Sequence, residues 1–365
     1  FRRVLFRSVI EGMRAVGVLT TNACGDVCRN VVGCPGQGTC PHEIGDTGAM
    51  LRRVADDPEL LQQQRNLPRK HKINIVGCGR ACGMELMNCQ GFHPVVRKTS
   101  TGTEERGWEF LAGGGLGQLP HMGQRIFEWV PEDLVPAVAK AGVEAHNRYG
   151  DRRRRKYARM KIIVADRGTA GFADLLLELL RERGVDGLDR IEVSGDSAAA
   201  IGPIPFEGET VISESDADRS TVRIMIPRGD FSSTEAIRFA TWSASRGNGT
   251  VMLTQRQNLR LPGVPADQVE SLVAEIRAAG YCLDGFEQLP DVVACVGTTM
   301  CNLAVSDTPR TRARIVEELA ADRDFWKQVG PLRINMNGCP NSCGHHWIAD
   351  IGLRGRRFRG KGGSE

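Results

Sequence analysis

The sequence lacks several features that would assign it to a particular class of protein. Aromatic residues make up only 5% of its 365 residues, and no apolar run is long enough to cross a bilayer. The N-terminus has no hydrophobic region of the kind found in signal peptides. The formal net charge is only +4, so composition argues neither for nor against nucleic acid as a partner. These absences predict a cytoplasmic globular protein, and the length predicts two or three domains.

Cysteine, in contrast, is abundant, with twelve residues in the chain. In a reducing compartment, clustered cysteines indicate metal ligation or redox chemistry before they indicate disulfides. Basic residues are also clustered, most densely in RYGDRRRRKYARMK at 148–161. By itself that run is typical of a solvated helix face.

One short phrase occurs twice. INIVGCGRACG at 73–83 and INMNGCPNSCG at 334–344 agree at Ile, Asn, Gly, both cysteines and the closing Gly. Each copy is preceded by a probable helix end and then by another pair of cysteines. These segments are MRAVGV (13–18) with ACGDVC (23–28), and IRAAGY (276–281) with ACVGTTMC (294–301). A repeat of about 260 residues is too long for a solenoid and predicts two fused homologous halves.

The segment before the second copy has alternating strand and helix patterns. Strand regions are predicted at 221–229 and 249–264, and helices at 232–247 and 265–280. Ser232 and Glu235 form a plausible capping box, and Pro265 begins the second helix. Together they predict a small β-α-β-α unit of ferredoxin-like character. The first copy keeps only the tail of this unit, and the second copy stops within 21 residues of its closing Gly344. We therefore expect a fragment open at both ends, the alternative being a compact variant with short ends.

The second copy carries four cysteines with spacing suited to a cluster. Cys295 and Cys301 are six positions apart, and Cys339 and Cys343 are four apart. Four thiolates from two neighbouring loops suit a [4Fe–4S] cluster, which needs four soft anionic ligands. The six-position step is wide for a structural zinc site, whose knuckle cysteines are closer together. The alternative is four unrelated buried cysteines.

These cysteines also carry a resemblance. C-x5-C followed by NGCPNSC resembles the cluster motif of the sirohaem-dependent nitrite and sulfite reductases. Further stretches resemble the same family, namely ACGDVCRNVVGCP (23–35), NLPRKHKINIVGC (66–78), LAGGGLG (111–117) and TQRQNLRLPGV (254–264). The resemblance extends from about residue 9 to 355. It implies an α+β, pseudo-twofold duplicated nitrite/sulfite reductase fold, with a ferredoxin-like half-domain and two sirohaem/Fe–S domains.

The resemblance implies a division of the chain into four units. The expected units are a first haem-side domain (1–150), a helical linker (151–218), a ferredoxin-like half-domain (219–286) and a second domain with the cluster motif (287–365).

The resemblance also implies roles for particular residues. Cys295, Cys301, Cys339 and Cys343 would bind the [4Fe–4S] cluster, and Cys343 would bridge it to the sirohaem iron. Arg29, Lys70 and Lys72 match positions that line the substrate pocket, and alternation along a strand places the two lysines on one face. They are candidates for holding the anion and relaying protons. Arg256 and Asn258 are further candidates for contact with the macrocycle. The 148–161 run is a candidate to face haem carboxylates or an acidic ferredoxin.

The implied function is six-electron reduction of sulfite to sulfide or of nitrite to ammonia. The electron donor would be ferredoxin or another low-potential carrier, and neither nucleic acid nor a membrane is an expected partner. Two alternatives stay open, a precorrin-3B synthase-like enzyme of cobalamin synthesis and a non-catalytic truncated Fe–S protein.

The sequence also leaves open whether the first copy binds a second cluster, for which Cys24, Cys28, Cys78 and Cys82 are the expected candidates. The resemblance argues against that cluster, because in the family only the second half carries one.

Overall fold

The structure is a computed structural model that describes residues 3–18, 22, 24–60, 66–195, 206–357, 359–360 and 363–364. Within these residues no helix is both long enough and apolar enough to cross a membrane.

The first copy is built on a five-stranded sheet in the order β1-β2-β3-β4-β5. Only the β1–β2 pair is parallel, and the other neighbours are antiparallel. Its strands are β1 (Ile73–Ile75), β2 (Gln90–Lys98), β3 (Glu104–Ala112), β4 (Gln124–Pro131) and β5 (Glu192–Val193). Its helices are α1 (Arg3–Ala15), α2 (Thr47–Ala55), α3 (Val135–Tyr149) and α4 (Met160–Glu182). Helices α3 and α4 pack on each other, and α4 also packs on β4.

The stretch predicted to be a helical linker is divided by the structure. Helix α4 buries Phe172 and Leu176 in the same hydrophobic core as the first sheet, and β5 pairs with β4. Gly168, with φ of 71°, bends α4 in a backbone conformation that favours glycine. The core of the first domain therefore reaches Ile191 rather than ending at 150. Residues 196–205 of the expected linker lie outside the described part.

The ferredoxin-like unit is an antiparallel sheet in the order β6-β7-β9-β8 with two helices. Its elements are β6 (Val211–Ser213), β7 (Arg219–Ile224), α5 (Ser233–Arg246), β8 (Met252–Leu253), β9 (Leu259–Pro265) and α6 (Ala266–Ala278). The predicted capping box is confirmed, because Glu235 N donates to Ser232 Oγ at 3.2 Å and Ser232 N donates to Glu235 Oε2 at 2.7 Å. The predicted second strand region is a hairpin, because a turn at 254–258 separates β8 from β9.

The second copy contains the parallel sheet β10-β11-β12. Its elements are β10 (Val293–Ala294), α7 (Gly297–Met300), α8 (Thr308–Leu319), α9 (Arg323–Val329), β11 (Ile334–Asn337) and β12 (Ile351–Arg354). A pair of short strands, β13 (Arg359–Gly360) and β14 (Gly363–Ser364), follows.

The two copies share local geometry at a constant offset of 261 residues. Val32 bridges Asn74 in parallel, as Val293 bridges Asn335. A 3-10 turn follows each phrase, at Glu85–Met87 and at His346–Ile348. The aspartates that cap α2 and α8, Asp46 and Asp307, are separated by the same offset.

Candidate functional site

Two cavities meet where the two copies and the ferredoxin-like unit come together. Cavity A has a volume of about 520 Å³ and is lined by parts of both copies and by residues 252–255 of the ferredoxin-like unit. Cavity B has a volume of about 770 Å³ and is lined mainly by the second copy and the basic run. Five residues line both cavities, namely Lys70, Gly117, Arg159, Asn341 and Cys343. Cys343 therefore stands in a wall that separates two adjoining spaces.

All four cysteines predicted as cluster ligands line cavity B. Cys295 follows β10, Cys301 follows α7, and the other two lie in the turns after β11. Gly338 N donates to Cys295 Sγ at 3.1 Å, the kind of backbone contact that stabilises a thiolate. A side chain at Gly338 would place its Cβ 2.8 Å from Ala304 Cβ, so only glycine permits this approach. Burial raises the pKa of Cys343, while Lys70 and Lys72 lower it.

The donor set fits a cluster better than a single ion. Among the described residues, no three or more His, Cys, Asp or Glu side chains are arranged to hold one metal ion. Four cysteines around a cavity instead provide separated thiolates, as the corners of a [4Fe–4S] cluster require. The lining of cavities A and B, as far as the structure describes it, contains no Asp or Glu. Both spaces therefore favour anionic contents.

Lys70 and Lys72 lie on the wall of cavity A, and Lys70 also reaches cavity B. Burial, together with the nearby charges of Lys72 and Arg159, lowers the pKa of Lys70 to about 8. Burial also lowers the pKa of Lys72, and Arg159 adds to this effect. Between them His71 points into the core, where its side chain is fully buried. The alternation that buries His71 turns both lysines towards the cavity.

Arg29 lies near these lysines but not on the described walls of either cavity. Its guanidinium donates to Gly25 O, with Nη2 at 2.9 Å. Its charge also lowers the pKa of Lys70, although burial and the nearer cations have larger effects. Direct contact between Arg29 and a substrate therefore stays a prediction.

Arg256 and Asn258 are engaged elsewhere. Arg256 Nε donates to Asp291 Oδ2 at 3.0 Å, and Asn258 Nδ2 donates to Asp291 Oδ1 at 2.9 Å. Asn258 Oδ1 accepts from Ile226 N at 3.0 Å, which satisfies the other end of its amide. Neither side chain is part of the described lining of cavities A and B. The structure gives both residues a part in holding the segment before β10, and the predicted contact with a macrocycle gains no support.

The basic run supplies cations that the sequence reasoning did not assign as site residues. It is a loop with a 3-10 turn at Arg155–Tyr157 that leads into α4, rather than one continuous helix face. Arg155, Lys156, Arg159 and Lys161 line cavity B, and Arg159 also lines cavity A. The density of charge in the run was the available signal.

Lys161 differs from the other cations of this group because it binds backbone carbonyl oxygens. Its Nζ donates to the carbonyl oxygens of Gly115 at 3.0 Å and Gln118 at 2.8 Å, and also to that of Leu119. These carbonyls belong to the glycine-rich loop, which lies between the first copy and Asn341 of the second. A Cβ at Gly114 would fall 2.2 Å from Leu86 O, so the close approach of this loop requires glycine.

The first-copy cysteines require a correction. Cys28 is buried beside Cys89, and the thiols that accompany Cys78 are those of Cys34 and Cys40 rather than Cys24 and Cys28. Cys34 and Cys40 have the same six-position spacing as Cys295 and Cys301, at the same 261-residue offset as the repeated phrase. The expected pairing therefore used the wrong register by about ten residues.

Comparison with known proteins agrees with this geometry. The nitrite and sulphite reductase 4Fe–4S domain matches residues 24–183, and the nitrite/sulfite reductase ferredoxin-like half domain matches residues 213–279. The assimilatory ferredoxin-dependent nitrite reductase of Haloferax mediterranei is 30% identical over 96% of this chain and 61% of its own length. Sulfite reductase [ferredoxin] 2 of Mycolicibacterium paratuberculosis is 31% identical over the same shares.

A solved structure extends the agreement to the fold. The NirA protein of Mycobacterium tuberculosis superposes with a TM-score of 0.83 at 28% identity, covering 98% of this chain and 64% of that one. The chain thus spans about three fifths of the length of these relatives. With both domain types matched and the fold shared, the chain belongs to the nitrite and sulfite reductase family.

Proposed function

We propose that this protein reduces nitrite or sulfite in a six-electron reaction with electrons from a low-potential donor. The observation that carries the proposal is the position of Cys343, whose thiol lies in the wall shared by cavities A and B. Four cysteines line cavity B, and Lys70, Lys72 and Arg159 line cavity A, so Cys343 can contact the contents of both. Curated relatives named as nitrite or sulfite reductases support the same reaction class.

The residues present suit the two cofactors expected in this family. Cys295, Cys301, Cys339 and Cys343 would hold a [4Fe–4S] cluster in cavity B. Lys70, Lys72 and Arg159 would face a sirohaem in cavity A, where its many carboxylates require cationic partners. When bound, the coupled pair supplies an iron that binds the anion and a route for its electrons.

The protein side chains would position the anion and provide protons. Lys70 and Lys72 present two ammonium groups to cavity A, which favours a small oxyanion there. A lysine with a pKa of about 8 is close to neutral pH, so Lys70 can give up a proton and regain it more readily than an exposed lysine. Each N–O or S–O bond that breaks needs protons at the departing oxygen.

The donor is proposed to be ferredoxin or a carrier of similar charge. The names of the nitrite reductase of Haloferax mediterranei and of the sulfite reductase of Mycolicibacterium paratuberculosis both include ferredoxin. Arg155 and Lys156 are exposed at cavity B, where they would attract an acidic protein.

Reconstitution with iron, sulfide and sirohaem tests the proposal. The expected result is a sirohaem absorption band together with methyl-viologen-driven consumption of nitrite or sulfite, each assayed separately. Lys70→Met should lower turnover, whereas Lys98→Met, at an exposed position on β2, should leave it unchanged. A protein that binds iron and sulfide but neither binds sirohaem nor consumes either anion would refute the proposal.

A further inference from the structure

The first copy contains four cysteines that the proposed reaction does not use. They are Cys34, Cys40, Cys78 and Cys82, and each lies 261 residues before its counterpart among the cysteines of cavity B. A constant offset means that both steps, six positions and four positions, are repeated without insertion or deletion. The first copy therefore reproduces the complete ligand spacing of the second.

The fold brings these four thiols together. Burial, together with the nearby thiols of Cys40 and Cys78, raises the pKa of Cys34 to about 12. Burial likewise raises the pKa of Cys82 to about 12, with contributions from Cys34 and Cys78. Burial raises the pKa of Cys78, and the nearby Cys40 thiol adds to this rise. A Cβ on Gly83, the residue after Cys82, would lie 3.7 Å from Cys34 Cα, so the two loops that carry these cysteines pack against each other.

The backbone that carries them has the same hydrogen bonds as the second copy. Cys40 N donates to Gly36 O at 2.8 Å, and Cys301 N donates to Gly297 O at 3.0 Å. Ile44 N donates to Gly77 O at 2.9 Å, as Val305 N donates to Gly338 O at 2.7 Å.

Two residues with positive φ also correspond within the second cysteine pair of each copy. They are Ala81, with φ of 60°, and Ser342, with φ of 56°. Each lies directly before the last cysteine of its set, so the final turn is formed in the same way.

We propose that Cys34, Cys40, Cys78 and Cys82 bind a second [4Fe–4S] cluster. Soft thiolates from two loops are the ligands that such clusters take, and each thiol would lose its proton on ligation. Zinc is disfavoured because the spacing of Cys34 and Cys40 is wide for a zinc knuckle.

The surroundings of the group suit a cluster in two further ways. Arg260 Nη1 lies 3.5 Å from the position that a Cβ on Gly36 would take, which places a guanidinium, paired through Nη2 with Glu207, near the sulfurs. Cys34 also lines cavity A. A cluster here would therefore adjoin that cavity.

Metal analysis tests this inference independently of catalysis. Protein purified without oxygen should contain about eight non-haem iron atoms and eight acid-labile sulfides per chain, as two [4Fe–4S] clusters require. The double variant Cys34→Ser/Cys78→Ser should lose half of the iron and half of the sulfide. The double variant Cys339→Ser/Cys343→Ser should lose the other half of each. The matched control Cys24→Ser/Cys282→Ser, at two exposed cysteines outside both groups, should retain all of the iron and sulfide.

Alkylation of the unaltered protein covers the case in which a variant does not fold. The four first-copy thiols should resist iodoacetamide until iron is removed with a chelator, whereas Cys24 should react at once. Four irons per chain, all lost in the Cys339/Cys343 variant, would overturn the inference. So would stoichiometric zinc, or first-copy thiols that react before chelation.

Discussion

His71 and His146 face each other behind the cationic wall of cavity A, with their Nδ1 atoms 3.0 Å apart. His146 Nε2 lies 2.8 Å from Ala158 O, so it must carry the hydrogen and leave Nδ1 as acceptor. His71 Nδ1 therefore donates, and its Nε2 accepts from Gln90 Nε2 at 2.8 Å. The network is complete only when both rings are neutral. Because His71 lies between Lys70 and Lys72, this network also fixes the lysines.

Acid should destabilise the protein through this histidine pair. Burial lowers the pKa of His146 to about 4 and that of His71 well below its usual value. Between about pH 4 and the ordinary histidine pKa of about 6.5, the unfolded chain binds more protons than the folded one. The free energy of unfolding should therefore fall as the pH drops through this window.

Urea denaturation at several pH values between 4 and 7.5 measures this dependence. The variant His146→Gln should lose about 1–3 kcal/mol of stability at neutral pH and show a shallower acid slope. His42→Gln, at an exposed position, should keep the original slope. An unchanged slope in His146→Gln would contradict the assignment of neutral rings.

Anion binding should weaken as Lys70 loses its proton. The pKa of Lys70 is lowered to about 8, chiefly by burial, so its ammonium form decreases above that pH. In the reconstituted protein the apparent KM for the anion should rise above about pH 8, and Lys70→Arg should shift this rise to higher pH. A KM that stays constant between pH 7 and 10 would show that Lys70 does not hold the anion.

Cys343→Ser should uncouple the contents of the two cavities. Its thiol is the cysteine side chain common to both walls among the residues described, and serine is a much poorer ligand for iron. Electron paramagnetic resonance of the reduced, reconstituted protein should then show separate haem and cluster signals. Cys282→Ser, an exposed cysteine in another part of the chain, is the control. If coupling survives at Cys343→Ser, another residue forms the bridge.

Two glycines of the same loop should respond differently to alanine. At Gly114 a Cβ would meet Leu86 O at 2.2 Å, whereas at Gly117 its nearest neighbour would be Asn341 O at 3.7 Å. Gly114→Ala should therefore cost about 1–3 kcal/mol of stability or prevent folding, while Gly117→Ala should be close to neutral. Thermal unfolding of both variants gives the comparison, and equal losses would contradict the described packing.

The buried carboxylate of Asp291 should prove structural. It accepts from Arg256 Nε at 3.0 Å, Asn258 Nδ2 at 2.9 Å and Glu287 N at 2.9 Å. Asp291→Ala should destabilise the protein by about 3–5 kcal/mol, because it leaves a buried guanidinium unpaired. Arg256→Gln should lower stability without changing the sirohaem content of the reconstituted protein. A loss of haem in a folded Arg256→Gln variant would restore the predicted cofactor contact.

Local patterns predicted the ferredoxin-like unit well, because its elements depend on periodicity and on the Ser232–Glu235 cap. The cysteines of cavity B were predictable for a similar reason, since their spacing is itself the signal. The first-copy thiols were assigned in the wrong register because ACGDVC (23–28) offered a nearer pair than Cys34 and Cys40. Applying the offset of the repeated phrase to every cysteine would have found them.

Other features depend on contacts that sequence does not record. The part played by Arg159 arises from a loop that folds back between two copies of the repeat, and the charge density of the basic run marks the segment but not this residue. Arg256 and Asn258 matched a family stretch, but their partner Asp291 lies more than thirty residues away in the chain. The position of α4 in the first core likewise follows from packing against α3 and β4.

The three carbonyls gathered by Lys161 have a consequence for binding. The Lys161 ammonium, held by the carbonyls of Gly115, Gln118 and Leu119, keeps the glycine-rich loop in one conformation before any ligand binds. The conformational entropy of that flexible stretch is therefore lost during folding and does not oppose the later association. We therefore expect Lys161 to raise affinity by preorganising the backbone that receives the ligand.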